Sequence, residues 1–176
     1  HKIRMQRSLE HAKAYSRQHR LPLYNVQATD MATRTEDIRK LTDDVKRSML
    51  QYVIPDDTMG IPTFLLLYEG MRLLVTSKDC VRYGIVKGCS CKLVATILSD
   101  AEKLPYEQVA GESHSLEFMP LSLLLRAEDV PWTLAPEDLP ANLPEDMDRR
   151  GLFQMRPTHV PIRVRVEEEW IAVHRT

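Results

Sequence analysis

Gly70-Met71-Arg72-Leu73-Leu74-Val75-Thr76 and Cys91-Lys92-Leu93-Val94-Ala95-Thr96-Ile97-Leu98, separated by a connection through Gly84-Ile85-Val86-Lys87-Gly88, carry the strongest β signal in the chain. Both are short aliphatic and β-branched runs near turn residues, and such runs predict strands. The Gly84-x-x-x-Gly88 spacing predicts a tight turn, because no long apolar helix surrounds it to use a helix-packing motif. Downstream, Ser115 to Arg126 predicts a strand pair or one strand bent around Pro120. Ile162-Arg163-Val164-Arg165-Val166 alternates strictly, which puts both arginines on one face of a strand and the β-branched residues on the other. Glu167-Glu168-Glu169 reads as a turn and Trp170 to Val173 as the returning strand.

Upstream the character is helical. Residues 2 to 20 carry Lys2, Arg4, Arg7, Lys13, Arg17 and Arg20 against the single acid Glu10, with no Gly or Pro, and predict a basic helix. Pro22 ends it, since its ring disfavours helical geometry at Leu21. Leu23-Tyr24-Asn25-Val26-Gln27-Ala28 then alternates as a half-buried strand. Thr33-x-x-Glu36 has the form of a capping box, and Ile38, Leu41, Val45 and Met49 follow on one face, so one helix is expected from there to about Tyr52. Pro131, Pro136, Pro140 and Pro144, interleaved with Glu137, Asp138, Glu145, Asp146 and Asp148, read as a solvated loop over 130–148 that builds no core.

Composition narrows the function. The 176 residues hold 24 Lys+Arg against 25 Asp+Glu, which argues against a wholly basic nucleic-acid coat while leaving a local basic face open. The longest apolar run, Phe64 to Tyr68, is far too short to span a bilayer, so a soluble chain with no membrane partner is expected. Three cysteines fit a reducing, intracellular compartment better than a disulfide scaffold. The first residue is His1 rather than Met, so the chain reads as an excised piece of a longer one.

Most catalytic chemistries lack their residues here. The six glycines form no Gly-Lys-Ser/Thr phosphate loop. Cys89-x-Cys91 with Cys80 lacks the paired spacing of a zinc site, and small strand-packing residues are the favoured reading. His114 and His159 have no constellation around them, so a stand-alone hydrolase ranks last. No catalytic residue and no metal ligand is assigned. The basic helix and the Arg163/Arg165 face hold more promise, because regularly placed cations are what following a phosphate backbone requires.

Gly70 to Thr76 followed by Gly84-Ile85-Val86-Lys87-Gly88 resembles a strand and turn of the Pif-one/RecD-like helicases of superfamily one, including the helicase of Helitron transposons. Tyr24-Asn25-Val26-Gln27-Ala28-Thr29-Asp30 looks like that family's Tyr-x-Ala-x-Asp passage. Pro62-x-x-Leu65-x-Leu67-x-x-Gly70, Gly151-Leu152-Phe153-x-Met155-x-Pro157 and His174-Arg175-Thr176 resemble further segments in the same order. Lys78 and Lys87 stand where the family usually has Asn, and Cys91 where a small Gly is common.

The resemblance implies an α+β chain: helices beside a small, mainly antiparallel SH3-like β-barrel, with 1–60 belonging to a second RecA-like motor domain and 61–176 to its β-rich insert. It implies an ATP-dependent DNA helicase acting in DNA repair or recombination, in the nucleus or mitochondrion if eukaryotic. ATP and Mg would be held by the parent outside this chain, which would not hydrolyse ATP alone. The implied partners are single-stranded or fork DNA and the rest of the motor. Arg72, Lys78, Arg82, Tyr83 and Lys87 are the expected DNA contacts, followed by Arg163 and Arg165. Tyr83 is the only aromatic well placed by sequence among these cations, so phosphate contact should outweigh base stacking. The rival expectation is a protein-interaction module that uses the small barrel and the acidic loop.

Overall fold

A computed structural model describes residues 2–49, 63–76, 81–105, 108–128, 130–141, 143–166 and 169–176. The fold is α+β and mostly sheet. Helix α1 (Lys2–His19) leads into strands β1 (Leu23–Gln27) and β2 (Asp30–Ala32), then short helices α2 (Thr35–Ile38) and α3 (Asp43–Met49). Strands β3 (Phe64–Leu67), β4 (Arg72–Leu74), β5 (Ser90–Ile97), β6 (Ser113–Ser115), β7 (Ser122–Ala127), β8 (Leu152–Met155), β9 (Val160–Val166) and β10 (Glu169–Arg175) follow.

The strands form three sheets among the described residues: β3-β1-β6, β2-β10-β9, and the antiparallel β4-β5-β7-β8. In the four-stranded sheet β4 and β8 are the two ends of the order, so it stays open among the described residues. Strands on either side of residue 60 share sheets: β1 pairs with β3 and β6, and β2 with β10.

The main core lies between the first sheet and one face of the third. Val26 and Leu67 meet Cys91, Leu93, Leu125 and Phe153 there, all at most 6% exposed. Cys91 is thus a packing residue, and its thiol contacts the Leu73 carbonyl at 3.5 Å.

Two expectations are corrected. The helix expected from Thr33 is broken into α2 and α3, and the Thr33 N–H is spent on the Ala172 carbonyl of β10, 3.1 Å away, so no capping box forms. Its residues divide accordingly. Leu41 and Met49 are buried against Ile162, Val164, Ile171 and Val173, but Ile38 is 59% exposed. The expected end near Tyr52 and the Glu167-Glu168 turn lie outside the described residues, while Glu169 opens β10.

The 130–148 segment, secondly, is a loop exposed over most of its length, but it does build core. Leu139 packs with Leu124 and Leu152 on the outer face of the third sheet, with Leu134, Leu143 and Met147 alongside, while Val130 and Trp132 join the main core. Its prolines and acids, apart from the half-buried Pro140, are exposed between these apolar anchors. Gly151 closes the segment at φ +64, where an added Cβ would lie 2.5 Å from the Ala127 carbonyl oxygen. Tyr83 is half-buried and packs against the main core.

Arg175 and Asp30 tie the second sheet together. Arg175 is fully buried and donates from Nε and Nη2 to the two Asp30 carboxylate oxygens, both at 2.7 Å, and from Nη2 to the Met49 carbonyl at 3.3 Å. The pair joins β2, β10 and the end of α3. Removing one member strands a buried charge, so Asp30→Ala is expected to cost about 3–5 kcal/mol in urea unfolding. A loss under about 1 kcal/mol would mean that water reaches the guanidinium.

Candidate nucleic-acid interface

Antiparallel pairing puts three cations in one row. Arg72 on β4 lies opposite Lys92 on β5, and Lys92 lies opposite Arg126 on β7. The neighbouring row, Leu73, Cys91 and Ala127, turns into the core, so the cations take the outer face. Adjacent strands are about 4.8 Å apart. Like charges directly opposite one another destabilise a sheet, so this row calls for anions.

The ends of the row have them. Arg72 Nη2 is 3.7 Å from a Glu128 carboxylate oxygen. Arg126 Nη2 donates to the Asp148 carbonyl at 2.5 Å, and Nη1 is 3.9 Å from its carboxylate. Asp148 is fixed further by the Arg150 backbone N–H at 3.0 Å and by its guanidinium, and these contacts hold the Asp148 carboxyl below its ordinary range. Lys92 is exposed and makes no ion pair among the described residues.

Arg72 and Lys92 open onto a cleft of about 1390 Å³ between α1 and the sheets. From the helix side come Arg7, His11 and Lys13; the apolar lining includes Phe64, Tyr68 and Met71. Tyr15 reaches in from α1, its ring 5.0 Å from Tyr68 and 4.2 Å from His19. Burial and the neighbouring Tyr15 push the Tyr68 phenol up. Gly70, at φ +85, leaves room for this arrangement, since an added Cβ would lie 2.8 Å from the Tyr15 hydroxyl oxygen.

The helix is held over the cleft by buried groups. Ala12 is 3% exposed, and the Ser16 hydroxyl donates to the Leu21 carbonyl at 2.5 Å and accepts the Gly111 N–H at 3.0 Å. A charged helix with few apolar residues stays seated through these two positions.

Of the residues expected from sequence, Arg72 lines the cleft; Tyr83, Lys87 and Arg163 do not. Lys87 is exposed in the turn before β5, and Arg163 is exposed on β9 of the second sheet. Lys78 lies outside the described residues, as do the side chains of Arg82, on a 3-10 turn, and Arg165, opposite Trp170 in β10. Sequence reasoning missed Lys92 and Arg126 as partners of Arg72, because register is not written in either strand. It also missed Tyr15, Phe64 and Tyr68 as aromatics beside these cations.

His114 Nε2 is 3.6 Å from the Glu102 carboxylate, and the Thr176 hydroxyl meets His159 Nδ1. Among the described residues no group of three or more His, Cys, Asp or Glu converges to hold a metal ion, and no helix is long and apolar enough to cross a membrane. No protein-family model, curated protein or solved structure matches the chain.

Glu102 is a structural carboxylate. Burial raises its proton affinity, but the N–H groups of Phe118 and Glu117, at 2.9 and 3.2 Å, together with His114 outweigh this and hold it below its ordinary value. A depressed folded-state pKa adds stability above the unfolded value of about 4.3 that is lost as pH falls through the folded one. The stability gap between wild type and Glu102→Gln is therefore expected to reach its full width by about pH 6 and to narrow below about pH 4. A gap that stays constant across urea titrations at these pH values would remove the carboxylate's role.

Proposed function

We propose that this chain is part of a Pif-one/RecD-like DNA helicase and supplies contacts to single-stranded DNA. The observation that carries the reading is the row Arg72, Lys92 and Arg126, whose first two members share a cleft with Arg7 and Lys13 of α1. A basic groove with aromatics in its lining is the usual means of holding a single strand without reading its sequence. The order of the family-like segments along the chain supports the same reading. In it, the division near residue 60 is redrawn because β3, β6 and β10 pair with strands before it: the four-stranded sheet belongs to the SH3-like insert, and α1 with the first two sheets to the second RecA-like domain.

ATP and Mg are then the parent's cofactors, bound outside these residues, and strand separation is the parent's activity. This chain's share is to grip the strand through phosphates, with Tyr15, Phe64 and Tyr68 adding stacking surface. Lys87 and Arg163 lie on other faces and serve as outlying contacts at most. The rival protein-docking reading loses force because the acidic segment spends its apolar residues on its own sheet.

Fluorescence anisotropy with labelled oligothymidylate at several salt concentrations tests the reading. Binding should weaken linearly on a log-log salt plot, and Lys92→Glu should lower affinity about tenfold or more and flatten the slope by about 0.7 or more. Unchanged affinity and slope in Lys92→Glu would exclude the row from the contact. Failure of the wild-type chain to bind at low salt would count against strand contact by the chain itself.

A further inference from the structure

Glu128 is the single carboxylate among the described residues lining the cleft, where Arg7, Lys13, Arg72 and Lys92 supply cations. It follows directly on β7 and pairs with Arg72 at 3.7 Å. Asp148, which pairs with Arg126, stands at the other end of the acid- and proline-rich segment. That segment therefore leaves and rejoins the sheet beside the two arginines of one cationic row.

The two contacts differ in strength. Asp148 is fixed by hydrogen bonds to Arg126 and Arg150 and anchors the segment. The Arg72 side chain is 77% exposed and Glu128 39%, and among the described residues the Glu128 carboxylate has only the longer Arg72 contact. An exposed ion pair of that kind is weak and easily exchanged.

From this geometry we propose that Glu128 is a displaceable internal competitor for phosphate, occupying Arg72 until a nucleic-acid strand replaces it. The inference rests on the strand-contact reading and specifies how that site is regulated. Binding then requires Arg72 to exchange one oxyanion for another, and a carboxylate left beside the incoming phosphate repels it. Glu128 thereby lowers affinity for the strand and favours release, which suits a surface that must let go of its ligand as well as hold it.

The test is anisotropy of the 176-residue chain with labelled oligothymidylate at low salt, comparing wild type with Glu128→Gln. Affinity is expected to rise about three- to tenfold. Glu137→Gln, an equal charge change on the exposed part of the same segment, should shift affinity less than about twofold. In an Arg72→Gln background the gain from Glu128→Gln should fall to about twofold or less, because only the direct repulsion between carboxylate and phosphate remains. An equal gain in Glu137→Gln, or a gain undiminished without Arg72, overturns the competitor role while leaving strand contact standing. If neither wild type nor Glu128→Gln binds, strand contact itself fails and the competitor role falls with it.

Discussion

Leu124 and Leu125 are neighbours on β7, and both are buried, at 0% and 2% exposure. Neighbours on a strand face opposite sides, so β7 must be covered on both faces. The Leu125 face is covered by the first sheet; the Leu124 face is covered by Leu134, Leu139, Leu143 and Met147. Much of the chain's arrangement follows from this need. The covering segment has to leave β7 and return to β8, and each junction carries a carboxylate next to an arginine of the outer face. Cover for the core and neutralisation of the cationic row are thus two effects of one chain path.

Elements whose signal is local were legible in the sequence. The basic helix, the first strand, the strand after Gly88 and the alternating Ile162 to Val166 run all form where period and turn chemistry place them. What escaped was set by partners remote in sequence. Thr33 could have opened a helix, but β10 takes its N–H; Ile38, Leu41, Val45 and Met49 show one period, yet the break between α2 and α3 exposes the first and buries Leu41 and Met49. In the 130–148 segment the prolines and acids dominate the composition and conceal four apolar anchors, of which Leu139, Leu143 and Met147 stand four residues apart in a stretch that Pro140 and Pro144 keep from forming a helix.

The interface was half legible for the same reason. Arg72 stands out because it interrupts an aliphatic strand, and Lys92 does so on the next strand, but nothing in either run states that the two lie opposite each other. Tyr15 belongs to a helix whose charge pattern draws attention away from its aromatic, and Tyr68 ends a run that reads as core. Their meeting at 5.0 Å depends on Ser16 and Gly111 seating the helix, a contact between residues far apart in the chain.

The charge placement of this row differs from a β face that mixes signs across its strands. A solvated β face gains from mixing signs across strands, since opposite charges attract and like charges repel. Here three cations face one another directly, while the chain's acids, abundant enough to balance its bases overall, reach the row only from outside the strands. Glu128 and Asp148 follow or precede the sheet, and one of them makes only a long, exposed contact. A sheet selected for stability alone would place an acid on β5 between the arginines. Lysine at position 92 concedes some stability instead, a cost that the proposed contact with a phosphate oxyanion would explain.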